Sequence, residues 1–273
     1  MKRRLLQFAL AGLTGATLLV PAAAHAAPAP GVLYDSTPLK GTVSIPSVGP
    51  EAYSFNQVGN EVILRPHTAA IRHISVVMVS WACENGSWQS GCTTTPGARF
   101  DAPVTLTLYR ASHTDQATNA AVPGKQILSV TRTFPIRFRP SAESPSQPKF
   151  LGKDGVYHNG LDQRITFPVN LKLPNDVVWT VGYNTNTSGT SPIGHVSPMD
   201  SLNVGLAPKV RVGLNRVPDS IFWDTRYQGF TCADPTNGNG GSFVTGLLNR
   251  DGACDGTQNS WQGYVPAVQF SAA

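Results

Sequence analysis

The residues that could carry out acid–base or metal chemistry are few, and they are scattered along the chain. The histidines beyond the first 26 residues occur singly, at His67, His73, His113, His158 and His195. A zinc hydrolase typically places two histidines four residues apart on one helix, with a glutamate between them. This sequence has no such pair, so it predicts no metal site and no cofactor.

Nucleophilic catalysis has equally little support. The stretch Gly189–Ile193 comes nearest to the G-x-S-x-G turn of serine hydrolases, but it lacks the final glycine and lies in a polar loop segment. A glycosidase needs two carboxylates across a cleft, and in an all-β protein these come from distant strands, so spacing does not reveal them. We therefore predict no catalytic residues and keep a secreted glycan-active hydrolase as an alternative.

Aromatic residues in or beside loops give the one positive indication of binding. They are Trp88, Tyr157, Trp261 and Tyr264. Exposed rings on a rigid scaffold can stack on sugar rings or on apolar groups of a partner. The alternative is that these rings cap the ends of a hydrophobic core. Apolar surroundings favour the core for the remaining tryptophans, Trp81, Trp179 and Trp223.

Three long segments lack a strand pattern, and two of them contain the four cysteines. The segments are Cys83–Ala102, Pro140–Asp162 and Arg226–Ser260, and the cysteines are Cys83, Cys92, Cys232 and Cys254. An even number of cysteines in an exported chain indicates disulfides, and the short separations favour Cys83–Cys92 and Cys232–Cys254. A zinc site would need closely spaced Cys or His pairs.

The N-terminus has the three parts of a secretory signal peptide. Basic residues at positions 2–4 precede an apolar run from Leu5 to Val20, and Ala24-His25-Ala26 places small residues at the −3 and −1 positions. We expect residues 1–26 to be removed and residues 27–273 to form one secreted, extracellular domain. No later stretch is long and apolar enough to predict a membrane span.

The positive charge of the chain does not indicate a nucleic-acid partner. The formal net charge is +5, and three of the positive charges lie in the signal peptide. The nearest approach to a basic cluster alternates with strand-forming residues and consists of Arg110, Arg132, Arg137 and Arg139. We interpret these arginines as solvated positions on strand faces.

Apolar and polar residues alternate with a period of two through most of the chain after the signal. The clearest segments are Ile71–Trp81, Pro103–Tyr109, Leu128–Phe138, Ile165–Val169, Val177–Tyr183 and Val265–Phe270. Pro135 is expected at a sheet edge or bulge, and Arg132 falls unexpectedly on an apolar side. The pattern predicts an all-β fold: a single antiparallel β-sandwich, jelly-roll-like or immunoglobulin-like, with a closed β-barrel as the alternative.

Several short stretches resemble a group of secreted proteins of high-GC Gram-positive bacteria. The stretches are Tyr34-Asp35-Ser36, Trp81-Ala82-Cys83-Glu84-Asn85-Gly86-Ser87-Trp88, Phe138-Arg139-Pro140-Ser141, Asn159-Gly160-Leu161, Asp200-Ser201-Leu202-Asn203-Val204 and Tyr264-Val265-Pro266-Ala267-Val268-Gln269-Phe270. The resemblance implies an exported bacterial β-domain, and no activity or site residue comes with it.

These observations favour a non-enzymatic extracellular binding domain, with a polysaccharide or a cell-envelope component as its partner. The loop aromatics and the lack of catalytic motifs are the grounds for this prediction. Besides the hydrolase, a structural surface protein that acts by self-association is a further alternative, which an exposed apolar patch would favour.

Overall fold

The computed structural model describes residues 31–39, 41–49, 57–112, 122–184, 197–216, 221–223, 248–250 and 264–272. Every regular element among them is a β-strand, as the alternation predicts. The strands are β1 (Val32–Asp35), β2 (Ser47–Val48), β3 (Gln57–Ile63), β4 (Ile71–Ser80), β5 (Arg99–Ser112), β6 (Val122–Arg137), β7 (Phe150–Leu151), β8 (Tyr157–His158), β9 (Leu161–Leu171), β10 (Asp176–Gly182), β11 (Leu202–Ala207), β12 (Ile221–Trp223), β13 (Leu248–Arg250), β14 (Val265–Pro266) and β15 (Val268–Ser271). The described chain holds no helix that could cross a membrane.

The first sheet is built around β4. Strand β9 pairs with the whole length of β4 on one side, from Ile71 to Ser80. On the other side, β15 pairs with the first half of β4 and β11 with the second half. Strand β1 extends the sheet beyond β15, while β2 and β14 both pair with β11. All of these pairings are antiparallel, and β4 is buried throughout from Ile74 to Ser80, as expected for a central strand.

The second sheet has the strand order β13-β12-β3-β10-β5-β6 and is also antiparallel. Both sheets are open within the described chain, so the predicted alternative of a closed barrel is not found there. A separate two-stranded hairpin consists of β7 and β8. These two strands lie within Pro140–Asp162, a segment without a predicted strand, because two residues are too few to show a period.

The two sheets share one hydrophobic core. The first sheet contributes Ile74, Val76, Met78, Phe167 and Phe270, and the second contributes Val104, Leu106, Trp179 and Val181. Trp179 is fully buried, and its indole Nε1 donates to Asn60 Oδ1 at 2.7 Å, so the polar end of the largest core side chain has a partner. The predicted all-β fold is therefore confirmed.

Strand β6 explains the two irregular residues of its segment. In the described chain it pairs only with β5, which makes it the edge of the second sheet, and this is where Pro135 was expected. Arg132 lies opposite Val104 on the side of the strand that faces the core, yet its side chain is exposed because the sheet ends here. A charge at such a position hinders pairing with another chain.

Candidate ligand-binding surface

The disulfide loop holds one of the predicted aromatic residues. Cys83 and Cys92 are bonded, which confirms the first predicted disulfide. Inside the loop, the Trp88 ring packs edge-on against Trp81, with centroids 4.9 Å apart. The Trp88 indole nitrogen is buried without a hydrogen-bond partner in the described chain. Trp88 is therefore half-buried by its neighbour, and Trp81, predicted for the core, lies at its margin instead.

Arg139 links the residue that precedes the disulfide loop to two other parts of the chain. Its backbone N–H donates to Ala82 O at 2.9 Å, and its guanidinium donates to Pro148 O at 2.6 Å and to Pro140 O at 3.3 Å. The guanidinium carbon also lies 5.4 Å from the centroid of the Phe150 ring. These contacts join three chain segments through one side chain.

Arg139 is fully buried, so its interpretation as a solvated strand residue was wrong. Arg139 lies two residues after Arg137, the last residue of β6, where its backbone hydrogen-bonds the residue that precedes the disulfide loop. Burial lowers the pKa of the Arg139 guanidinium to about 10, because the charged form loses solvation. The sequence signal that could have indicated this is Pro140, which ends the strand alternation directly after the arginine.

The β7–β8 hairpin presents an aromatic ring to solvent. Its two strands pair Leu151 with Tyr157 and Phe150 with His158. The ring centroids of Phe150 and His158 lie 5.8 Å apart. Tyr157, by contrast, is 41% exposed and Leu151 is 50% exposed. Val156, at the turn, is 54% exposed. The alternation of side chains along the hairpin therefore produces an inner side and an exposed apolar side.

Polar groups fix the turn of this hairpin. Both carboxylate oxygens of Asp154 lie 3.0 Å from His158 Nε2, and one of them accepts from Val156 N at 3.2 Å. The hydrogen bond with His158 lowers the pKa of the Asp154 carboxyl. Beyond the hairpin, a Cβ at Gly160 would collide with the indole of Trp81 and with Val79. A residue without a side chain therefore lets the hairpin approach the disulfide loop.

A second carboxylate lies just beyond the hairpin, at the beginning of β9. Asp162 Oδ1 accepts from Ile45 N at 3.0 Å, and its Oδ2 is buried without a hydrogen-bond partner in the described chain. Burial raises the pKa of the Asp162 carboxyl from 3.8 to about 6. A catalytic acid must reach its substrate, and this oxygen is enclosed. Within the described residues, no group of three or more His, Cys, Asp or Glu is arranged to hold a metal ion.

We call the surface formed by the disulfide loop, residues 138–149 and the β7–β8 hairpin the loop platform. It contains two of the predicted binding residues, Trp88 and Tyr157, and of these Tyr157 is the more exposed. Tyr264 is partly buried against the core, as the alternative reading of the aromatics expected. Trp261 and the predicted pair Cys232–Cys254 lie outside the described residues.

Comparisons with protein-family models, with curated protein sequences and with solved structures find no match to the chain.

Proposed function

We propose that this protein is a secreted, non-enzymatic domain that binds an extracellular polysaccharide through the loop platform. The observation that carries the proposal is the Tyr157 ring, which is exposed on a hairpin fixed by Asp154 and His158. A ring presented on a hairpin with a fixed turn can stack on the apolar face of a sugar with little loss of backbone freedom. The neighbouring apolar residues Leu151 and Val156 enlarge the contact area.

Polar groups beside the ring suit the same ligand. Asp154 is exposed, and its carboxylate oxygens can accept hydrogen bonds from sugar hydroxyls while they hold His158. A sugar offers both apolar C–H faces and hydroxyl groups, so a site for it combines an aromatic ring with a small number of polar atoms. The hairpin supplies both kinds of group within one short segment.

We also propose that the protein is exported and that its fold is a β-sandwich with a second disulfide. The Cys83–Cys92 disulfide is of the kind that persists in oxidising compartments, which agrees with a signal peptide at residues 1–26. We infer that Cys232 and Cys254 form the second disulfide. We also infer that the two sheets with their common core are a β-sandwich of jelly-roll-like or immunoglobulin-like type.

The experiment is a pull-down with insoluble polysaccharides, using residues 27–273 produced through an oxidising compartment. We expect retention on at least one polymer, with no release of soluble sugar. Tyr157→Ala should weaken binding about tenfold, which corresponds to about 1.4 kcal/mol, whereas Tyr157→Phe should retain it because the ring is kept. Leu39→Ala is the matched control, since Leu39 is 70% exposed and lies outside the loop platform.

Each contrary result has a defined meaning. Equal retention of the wild type and Tyr157→Ala would show that the loop platform does not bind the polymer. Release of sugar would favour the glycan-active hydrolase. Failure to bind any polymer, together with an oligomer that Tyr157→Ala dissociates, would favour self-association through the apolar side of the hairpin.

A further inference from the structure

A row of polar side chains crosses the outer face of the first sheet, which is the face opposite the core. Thr166 of β9 lies beside Ser75 of β4, which lies beside Gln269 of β15, which in turn lies beside Asp35 of β1. Ser75 Oγ and Thr166 Oγ1 are 2.8 Å apart, and Gln269 Nε2 donates to Asp35 Oδ2 at 3.0 Å. The four adjacent strands span about 14 Å. Within the row, Ser75 and Asp35 are buried, and Thr166 and Gln269 are partly exposed.

Two arginines meet beside this row. Arg164, on β9, donates from Nη2 to Thr37 Oγ1 at 2.9 Å. Arg211, in the segment after β11, donates from its own Nη2 to the same oxygen at 3.2 Å. The hydroxyl of Thr37 donates in turn to Asp35 Oδ1 at 2.8 Å. Both guanidinium groups are therefore held at a single oxygen atom.

The charges of this group do not balance. Arg211 forms an ion pair with Asp35 at 2.8 Å. Arg164 donates only to neutral oxygens, those of Thr37 and of Gln269, and it has no carboxylate partner in the described chain. Asp162, two residues earlier on the same face of β9, hydrogen-bonds Ile45 instead and forms no ion pair with Arg164. Two guanidinium groups thus meet at Thr37, and only that of Arg211 is paired with a carboxylate.

The remaining donors of both arginines are available to a ligand. Arg164 is exposed, and the side chain of Arg211 is 33% exposed. Each guanidinium carries more N–H donors than the contacts above use. Asp35 is buried, which fixes the position of Arg211. Guanidinium groups held in this way bind carboxylate and sulfate oxygens through charge-assisted hydrogen bonds.

We propose that Arg164 and Arg211 bind an anionic substituent, a carboxylate or a sulfate, of an acidic polysaccharide. The inference rests on the proposed function for the class of polymer and adds both a second contact surface and the charge of the ligand. Gln269 and Thr166, which are partly exposed on the polar row, contact the sugar units next to the charged one.

The test measures the affinity of residues 27–273 for three soluble polymers at one fixed salt concentration. Polygalacturonate carries carboxylates, dextran sulfate carries sulfates, and dextran carries neither. We expect the wild type to bind at least one acidic polymer more tightly than dextran. Arg164→Gln should weaken acidic-polymer binding about tenfold, in line with the loss of one charge-assisted contact of about 1.4 kcal/mol. The preferred acidic polymer identifies the anion.

Arg132→Gln is the matched control, because it removes the same charge from an exposed arginine at the edge of the other sheet. An equal loss of affinity in both variants would overturn the inference, since it would show non-specific attraction. Absence of binding to both acidic polymers would overturn it too. The thermal midpoint of each variant verifies folding.

The Tyr157→Ala variant separates this inference from the proposed function. If Tyr157→Ala loses retention on the insoluble polymer while Arg164→Gln binds acidic polymers like the wild type, the anion site is wrong and the loop platform stands. If only Arg164→Gln weakens binding, the anion site stands and the loop platform is wrong. Loss in both variants supports the two surfaces together.

Discussion

Arg139 and Arg164 are two arginines without a carboxylate partner in the described chain, and their surroundings differ. Arg139 is fully buried in the loop platform, where two backbone carbonyls and the Phe150 ring surround its charge. Arg164 is exposed on the outer face of the first sheet, where it donates to Thr37 and Gln269. The same residue type thus lies in two environments of one small fold.

The difference in burial indicates which of the two unpaired arginines is accessible to a ligand. Arg139 donates from Nε and Nη2 to the carbonyls of Pro140 and Pro148, and its side chain is fully buried. Arg164 is exposed beside a second guanidinium, so an anion can approach it from solvent. Exposure, more than lack of a partner, therefore separates the arginine that we propose to bind an anion from the structural one.

The largest expected effect on stability is the difference between two single variants, in which either Arg139 or Arg164 is replaced by methionine. Arg139→Met leaves the carbonyls of Pro140 and Pro148 without donors, so we expect a loss of about 3 kcal/mol in the free energy of unfolding. Arg164→Met, at an exposed site, should change it by no more than about 0.5 kcal/mol. Denaturant unfolding at pH 7 measures both values. Similar losses in the two variants would contradict the comparison.

The next largest expected effect on stability comes from removing the Cys83–Cys92 disulfide. Replacing both Cys83 and Cys92 by serine should lower the free energy of unfolding by about 2–3 kcal/mol, because the unfolded chain gains the freedom of a short loop. The sequence separation of the pair is 9. Combining this change with Arg139→Met should cost less than the sum of the two, since both act on one loop. Simple additivity would show that the two supports are independent.

The smallest effect concerns Asp162, which lies on β9 between the hairpin and Arg164. Burial raises the pKa of its carboxyl to about 6, so the folded protein keeps a proton that the unfolded chain releases. Stability from this group is complete below about pH 4 and is lost as the pH rises through about 6. After allowance for partial exposure we expect the loss to be about 1 kcal/mol.

Asp162→Asn should remove this part of the pH dependence. The measurement is denaturant unfolding from pH 4 to pH 8 for the variant and the wild type. The asparagine oxygen can still accept the hydrogen bond from Ile45 N, so we expect the local structure to be retained. An unchanged slope between pH 4 and pH 6 in the variant would show that another group titrates there.

Much of the strand pattern could be predicted from the sequence. Ile71–Trp81 was expected to be a central strand and corresponds to β4, since apolar residues on both sides of a strand need cover on both faces. Pro135 was correctly expected at an edge. Arg139 was misjudged, because alternation continues formally past the end of β6 although the chain has already turned inward. Alternation of apolar and polar residues predicts a strand, but it does not predict whether residues beyond the end of the strand are buried.

The candidate surfaces divide in the same way. Tyr157 could be chosen from the sequence because an aromatic residue in a polar loop segment is a local feature. The meeting of Thr37 with Arg164 and Arg211 could not, because 127 and 174 residues separate these partners along the chain. No local pattern records the register that brings them together.

The sequence by itself determined the strand periodicity and the short Cys83–Cys92 loop, because side-chain alternation and loop closure depend on neighbours along the chain. Only the tertiary structure decided that β9, β15 and β11 share the edges of β4, and thereby which polar residues lie side by side on the outer face. Strand pairing is set by the packing of the whole core, to which residues from both sheets contribute together.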